Sequence, residues 1–200
     1  MQVDFYYAID SRYSYLAATQ IPSLETEFGV TIGWKPLQFD ALMKARGDHP
    51  YDGRARNGQY DATYRNVDVH RWANYYKVPL VEPDWDGIWD RIALAAVAAL
   101  RFDVGQIMSF ALFGAVMQDQ ATPKSDGDIA HIAKRAGLDG DKIVAAIDEP
   151  ETVQLHQQHL ADAVALGIFG VPSFVIGNDV FWGNDRLVLL RHRLNSRVLL

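Results

Sequence analysis

Strand-like alternation is confined to the two ends of this 200-residue chain, and that placement limits the folds open to it. In residues 2–9, Val3, Phe5, Tyr7 and Ile9 fall on one side and Asp4, Tyr6 and Ala8 on the other, which is the period of a strand. Asp10 and Ser11 follow where helix caps stand. Apolar residues at 13, 16, 17, 21, 24 and 28 then carry helical spacing as far as Gly29. Pro22 should kink that helix or tighten a turn there. Val30, Ile32 and Trp34 alternate again and Pro36 ends the run. A crossover of this length favours parallel strands in a right-handed unit. At the other end, short apolar runs at 173–176 and 180–182 flank Gly177-Asn178-Asp179, which is hairpin chemistry. Asn184 and Asp185 cap a last helix with Leu187, Leu190 and Leu194 on one face.

The middle has a different character. Residues 40–60 are polar, with Gly47, Pro50, Gly53 and Gly58 and little period, and read as a long loop. Helical patterns follow at about 61–77, 87–101, 104–119, 126–137, 140–148 and 150–166, punctuated by Pro79, Pro83, Pro123, Gly137, Gly140 and Pro150. The order β-α-β, helical block, β-β-α describes a thioredoxin-like α/β fold with a large all-helical insertion. Residues 1–38 and 167–200 would form the thioredoxin-like parts, and 39–166 the helical insertion.

Composition removes several functions. Half the residues are hydrophobic (49%) and 22% are charged, so the chain can bury a core without staples. It has no cysteine, which excludes a disulfide framework, thiolate metal ligation and a cysteine nucleophile. A net charge of −6 lacks the basic footprint of a nucleic-acid binder and suits anionic membranes poorly. Asp4 and the absence of a basic stretch argue against a signal peptide, and the longest apolar run, 92–100, is about half a membrane span. The expectation is a soluble cytoplasmic protein.

Three segments could carry chemistry. In a thioredoxin fold the reactive group sits at the start of the first helix, where unpaired N–H groups stabilise an anion. Here that stretch is Asp10-Ser11-Arg12-Tyr13-Ser14-Tyr15. Ser11 could donate a hydrogen bond to a thiolate supplied by another molecule, or it could be an ordinary N-cap. Gly170-Val171-Pro172-Ser173 precedes a strand. A cis Pro172 facing the reactive helix end would leave the Val171 backbone to pair with an extended peptide; a simple edge device is the alternative. In Phe181-Trp182-Gly183-Asn184-Asp185-Arg186, free N–H groups after Gly183 suit a carboxylate and Asp185 an ammonium. The γ-glutamyl end of glutathione carries both charges, and a plain helix cap over a packed tryptophan is the bland reading.

Together these segments resemble the 2-hydroxychromene-2-carboxylate isomerases, of the kappa-class glutathione transferase branch of the DsbA-like thioredoxin fold. The resemblance covers nearly the whole chain. It is strongest at Val3-Asp4-Phe5-Tyr6, at Ser11 with Tyr13-Ser14-Tyr15-Leu16-Ala17, at Asp68 with Arg71-Trp72-Ala73, at Val78-Pro79-Leu80, and from Phe169-Gly170-Val171-Pro172 to Phe181–Leu187. It implies glutathione as cofactor. Ser11 would hold its sulfur, Val171 and Pro172 its backbone, and Trp182, Gly183, Asn184 and Asp185 its γ-glutamyl end. It also implies an aromatic hemiketal carboxylate as substrate, isomerised by thiolate addition to the ring-opened enone, bond rotation and elimination, in a homodimer. The thiol pKa must fall from about 8.5 towards 7. A kappa-type transferase or peroxidase that consumes glutathione is the alternative, and a peptide binder without redox cysteines is a third reading.

The chain departs from the family beside the serine, where Asp10 and Arg12 stand. Asp10 would raise a neighbouring thiol's pKa unless it points away or pairs with Arg12; Arg12 could instead meet the substrate carboxylate. Lys44, Arg54 and Asn57 in the polar loop, and Trp85 as an aromatic wall, complete the candidates for the substrate. Asp68 and Arg71 are spaced for a helical ion pair. His156, His159 and Asp162 share a helix face, a pattern too loose to be read as a zinc site.

Overall fold

The computed structural model describes residues 1–47 and 61–198. Four strands form one sheet, β1 (Gln2–Tyr7), β2 (Thr31–Pro36), β3 (Ser173–Ile176) and β4 (Asp179–Trp182), in the order β2-β1-β3-β4. β1 and β2 are parallel, with Val3 opposite Ile32 and Phe5 opposite Trp34. β3 runs antiparallel to both β1 and β4, and β3 joins β4 through Gly177, at φ +60°, and Asn178. Between β1 and β2 lie α1 (Arg12–Ala18) and α2 (Ile21–Phe28). The expected kinked helix is two helices, because Pro22 opens α2 in its first turn, where a missing N–H costs nothing.

The expected loop is corrected at its start. Phe39–Arg46 is a helix, α3, with the Gln38 side chain capping it, Asp40 in its first turn, Lys44 and Arg46 in its last, and Gly47 closing it at φ +75°. The helices α4 (Ala62–Tyr76), α5 (Trp89–Leu100), α6 (Gly105–Met117), α7 (Asp126–Arg135), α8 (Gly140–Ala145) and α9 (Pro150–Ala165) follow, each within a few residues of its expected span. After a single 3-10 turn, Asn184–Arg186, α10 (Leu187–Val198) ends the described chain.

Both faces of the sheet are buried. Val3, Phe5 and Tyr7 pack with Trp34, Phe174 and the helical block; Phe5 stacks on Tyr7 and Phe174, with ring centres 4.9 and 4.7 Å apart. The Tyr7 phenol, pushed above its usual range by burial, shares a 2.5 Å hydrogen bond with Ser109 of α6. The other face gathers Tyr6, Leu37, Leu42, Met43, Ala163, Ile168 and Val175. α3 and α9 therefore cover the face that the strand's second register presents, and the chemistry-bearing turns emerge at the sheet's end between two packed layers. Among the described residues no helix is long and apolar enough to cross a membrane.

Candidate functional site

Two separated turns meet at the end of β3 and β4. The Val171-Pro172 peptide is cis, the Pro172 carbonyl accepts a 2.9 Å hydrogen bond from Gly183 N–H, and the two turns are thereby tied. Gly170 is required there: a Cβ on it would come within 2.6 Å of the Trp182 indole nitrogen. The Trp182 ring also lies against Phe169, with centres 4.8 Å apart. Gly183 sits at φ +108°, a conformation that only glycine adopts at low cost.

These turns form one wall of a cavity of about 400 Å³, a volume within the range of small-molecule sites. Val171, Pro172, Trp182, Gly183, Asn184 and Asp185 all line it. Two polar features of this wall have no protein partner among the described residues. Asn184 is 3% exposed, and its amide Nδ2 is buried without a partner among the described residues, which leaves a donor for a ligand or a water. No backbone hydrogen bond among the described residues engages Val171. The turn is held from behind by α4: the Tyr76 phenol donates a 3.0 Å hydrogen bond to the Asn184 carbonyl, and Trp72 packs on Tyr76 with centres 5.4 Å apart. Arg186 forms an ion pair with Asp185.

The rest of the lining comes from α4 and α1, through Tyr64, Arg65, Asp68, Trp72 and Tyr13, with Phe39 of α3. Tyr13 donates a 3.0 Å hydrogen bond to Asp68 Oδ2 and Tyr64 a longer one, 3.5 Å, to Oδ1. Burial and then the Asp68 charge push the Tyr13 phenol up to about 12. Asp68 is thus occupied by two tyrosines, and the expected pair with Arg71 does not form.

Ser11 is the N-cap of α1: its Oγ accepts a 3.1 Å hydrogen bond from Ser14 N–H. It is not among the residues lining the cavity, although Tyr13, two residues on, is. The cap uses an acceptor lone pair of the hydroxyl and leaves its O–H as a donor. Asp10 beside it is pushed up to about 6 by burial and by the carboxylates of Asp40 and Asp90.

Arg12 is held away from Asp10. Its guanidinium donates to Glu82 at 2.6 Å and Asn66 at 2.9 Å, lies 5.8 Å from the Trp85 ring centre, and is not among the residues lining the cavity. Trp85 is about half exposed and faces a separate groove with Glu82 and His70. Lys44 is exposed on α3 and lines no part of the cavity. Arg54 and Asn57 lie outside the described residues. His159 is buried with Nδ1 3.3 Å from the Pro36 carbonyl, burial pulls its pKa down to about 4, and no metal-holding cluster occurs among the described residues. The sequence reading missed Tyr13, Tyr64, Arg65 and Asp68. Their signal was the polar-aromatic face at 64, 68 and 72 of one helix.

Comparison with known proteins agrees with this architecture. The family model described as DSBA-like thioredoxin domain matches residues 2–195. The chain is 27% identical to a 2-hydroxychromene-2-carboxylate isomerase of Sphingobium xenophagum, over 96% of this chain and 97% of that protein. A solved structure of a 2-hydroxychromene-2-carboxylate isomerase superposes with a TM-score of 0.85 at 25% identity, covering 99% of this chain and 96% of the other. Glutathione S-transferase kappa 1 of Caenorhabditis elegans is 24% identical over 98% of this chain and 91% of its own length.

Proposed function

The chain belongs to the DSBA-like thioredoxin domain family, and on that premise we propose that it is a glutathione-dependent cis-trans isomerase. Its substrates would be 2-hydroxychromene-2-carboxylate-type aromatic hemiketals, and its products of the trans-o-hydroxybenzylidenepyruvate type. The observation that most supports glutathione is the wall made by the turns around Val171 and Asn184, in a chain with no cysteine of its own. The unpartnered Asn184 amide and the Asp185 carboxylate suit the carboxylate and ammonium of a γ-glutamyl group. The open Val171 backbone suits pairing with a peptide. The relatives named as isomerases support the reaction type.

When bound, glutathione would supply the thiolate nucleophile for a conjugated enone and be regenerated on elimination. The chain's own task is to bind it, orient it and lower its thiol pKa. Ser11 acts through its hydroxyl proton, which the cap leaves available as a donor to a sulfur anion. Val171 fixes the peptide's direction. Tyr76, from behind, holds the Asn184 turn in register.

An absorbance assay of chromene-carboxylate isomerisation with and without glutathione tests this reading. Turnover only when glutathione is present is the expected result, and equal turnover without it refutes the proposal. The kappa-type relative favours a second reading, a transferase. Loss of free thiol in step with substrate turnover would select it, whereas constant free thiol supports the isomerase.

A further inference from the structure

Resting on the glutathione reading, we infer that Arg71 of α4 receives the α-carboxylate of the γ-glutamyl group, in a groove that continues the cavity past the Asn184 turn. The group is then held as a whole amino-acid head, its ammonium by Asp185 and its carboxylate by the Asn184 amide and Arg71 together.

The groove and the cavity share their walls. Asp68, Trp72, Asn184 and Asp185 line both. Beyond them the groove is bounded by Arg71 and Tyr75 of α4 and by Arg191 of α10. In the glutathione reading the sulfur lies toward Ser11 and the γ-glutamyl end toward Asn184 and Asp185, so that end of the ligand is the part that meets the groove.

Charge pairing decides which groups are open to it. Asp68, three residues before Arg71 on the same helix, is the partner that helical spacing offers, and the phenols of Tyr13 and Tyr64 hold it instead. Arg191 donates to Ser23 and pairs with Glu27. Arg71 is exposed, and no hydrogen bond, ion pair or ring contact engages it among the described residues. On its other side it borders the groove that holds Glu82 and Trp85, where Glu82 is already bonded to Arg12. Asn184 supplies a second donor, since its buried Nδ2 has no partner among the described residues. An amide NH2 and a guanidinium fork together complement a carboxylate. Asp185 beside them makes the site selective for a head that carries both charges, because a lone carboxylate would also meet its repulsion.

The test is calorimetric and needs no turnover. The parent, Arg71→Met and Arg71→Lys are titrated with three ligands: glutathione, its analogue without the α-carboxylate (γ-aminobutyryl-cysteinylglycine), and glutathione with its glycine end as an amide. Thermal melts follow the fold. For Arg71→Met the expected result is a glutathione affinity lowered about tenfold. The same loss should recur with the glycine amide, and affinity for the γ-aminobutyryl analogue should stay within about twofold of the parent's. Arg71→Lys should fall between parent and Arg71→Met, because an ammonium keeps the charge and loses the fork. An equal loss with the γ-aminobutyryl analogue overturns the inference, since Arg71 would then act on the turn and not on that carboxylate. A loss that vanishes with the glycine amide overturns it too, since Arg71 would then serve the other end of the tripeptide. Unchanged glutathione affinity in Arg71→Met overturns the inference and leaves the glutathione reading standing; a parent that binds no glutathione at millimolar concentration overturns both. If Arg71→Met does not fold, Arg71→Lys decides with the same ligands: a loss confined to the two that carry the α-carboxylate supports the role, and any other pattern refutes it.

Discussion

Ser11 has two duties in this account, and they can be separated by substitution. As N-cap it accepts one hydrogen bond from Ser14 N–H at 3.1 Å. Replacing a capping serine by alanine costs about 1 kcal/mol, whereas glycine costs only a few tenths. The extended backbone of Ser11, φ −103° and ψ 112°, is open to either residue. As donor to a bound thiolate, the hydroxyl makes a hydrogen bond to a charged group, worth about 1.5–3 kcal/mol, or about one to two pKa units. Ser11→Ala and Ser11→Gly should therefore differ in stability, with alanine the weaker by roughly half a kcal/mol or more. They should coincide in chemistry, both returning the bound thiol towards about 8.5 and slowing turnover at pH 7 by about tenfold or more. Urea unfolding reads the first quantity. Thiolate absorbance titration of bound glutathione and the pH-rate profile read the second. A thiol pKa unchanged in both variants would remove Ser11 from the mechanism and leave it a cap alone.

The remaining predictions concern two buried titratable groups, Asp10 and His159, and the turn itself. Asp10, raised to about 6 from 3.8, holds its proton more tightly in the folded chain, so its contribution to stability falls as pH rises from about 4 through 6. His159, lowered to about 4 from 6.5, contributes stability that is present at neutral pH and lost as pH falls through the same window. The two slopes oppose each other. Asp10→Asn should therefore stabilise the protein at pH 7 and uncover a stability that climbs between pH 4 and 6.5 by up to roughly 3 kcal/mol; identical urea midpoints against pH in parent and variant would contradict this. Tyr76→Phe removes the 3.0 Å bond to the Asn184 carbonyl and should weaken glutathione binding by about 1 kcal/mol, or about fivefold, without altering the bound thiol's pKa. Calorimetry with the same titration checks both halves. Gly170→Ala places a methyl against the Trp182 indole and should lower glutathione affinity at least about tenfold by shifting one turn against the other; an unchanged affinity would deny the fit between them.

The strands and most helices were legible because one physical signal, apolar period, set them: alternation at 2–9 and 30–36, helical spacing through 61–166. The Asn184 turn was legible because Gly183, Asn184 and Asp185 are residues whose backbone preferences name a cap. α3 was obscured by its neighbours. Leu42 and Met43 with Phe39 have helical spacing, and Gln38, Asp40 and Gly47 are start and stop signals, but the polar run after them hid a short helix inside a loop. The part that α4 plays in the cavity was only half legible, for a different reason: Trp72 reads equally as core or as an aromatic wall. Whether Tyr64, Arg65 and Trp72 face a core or a cavity depends on how the insertion docks on the sheet, and that is long-range packing that no local pattern encodes. Arg12 shows the same limit, because Glu82, its partner, lies 70 positions away.

A crystal structure with glutathione bound tests the central claim most directly. The expected complex has the γ-glutamyl end on the Asn184 amide and Asp185, the peptide paired to the Val171 backbone, and the sulfur within hydrogen-bond reach of Ser11 Oγ. A sulfur remote from Ser11, with the tripeptide bound elsewhere on the molecule, would contradict it.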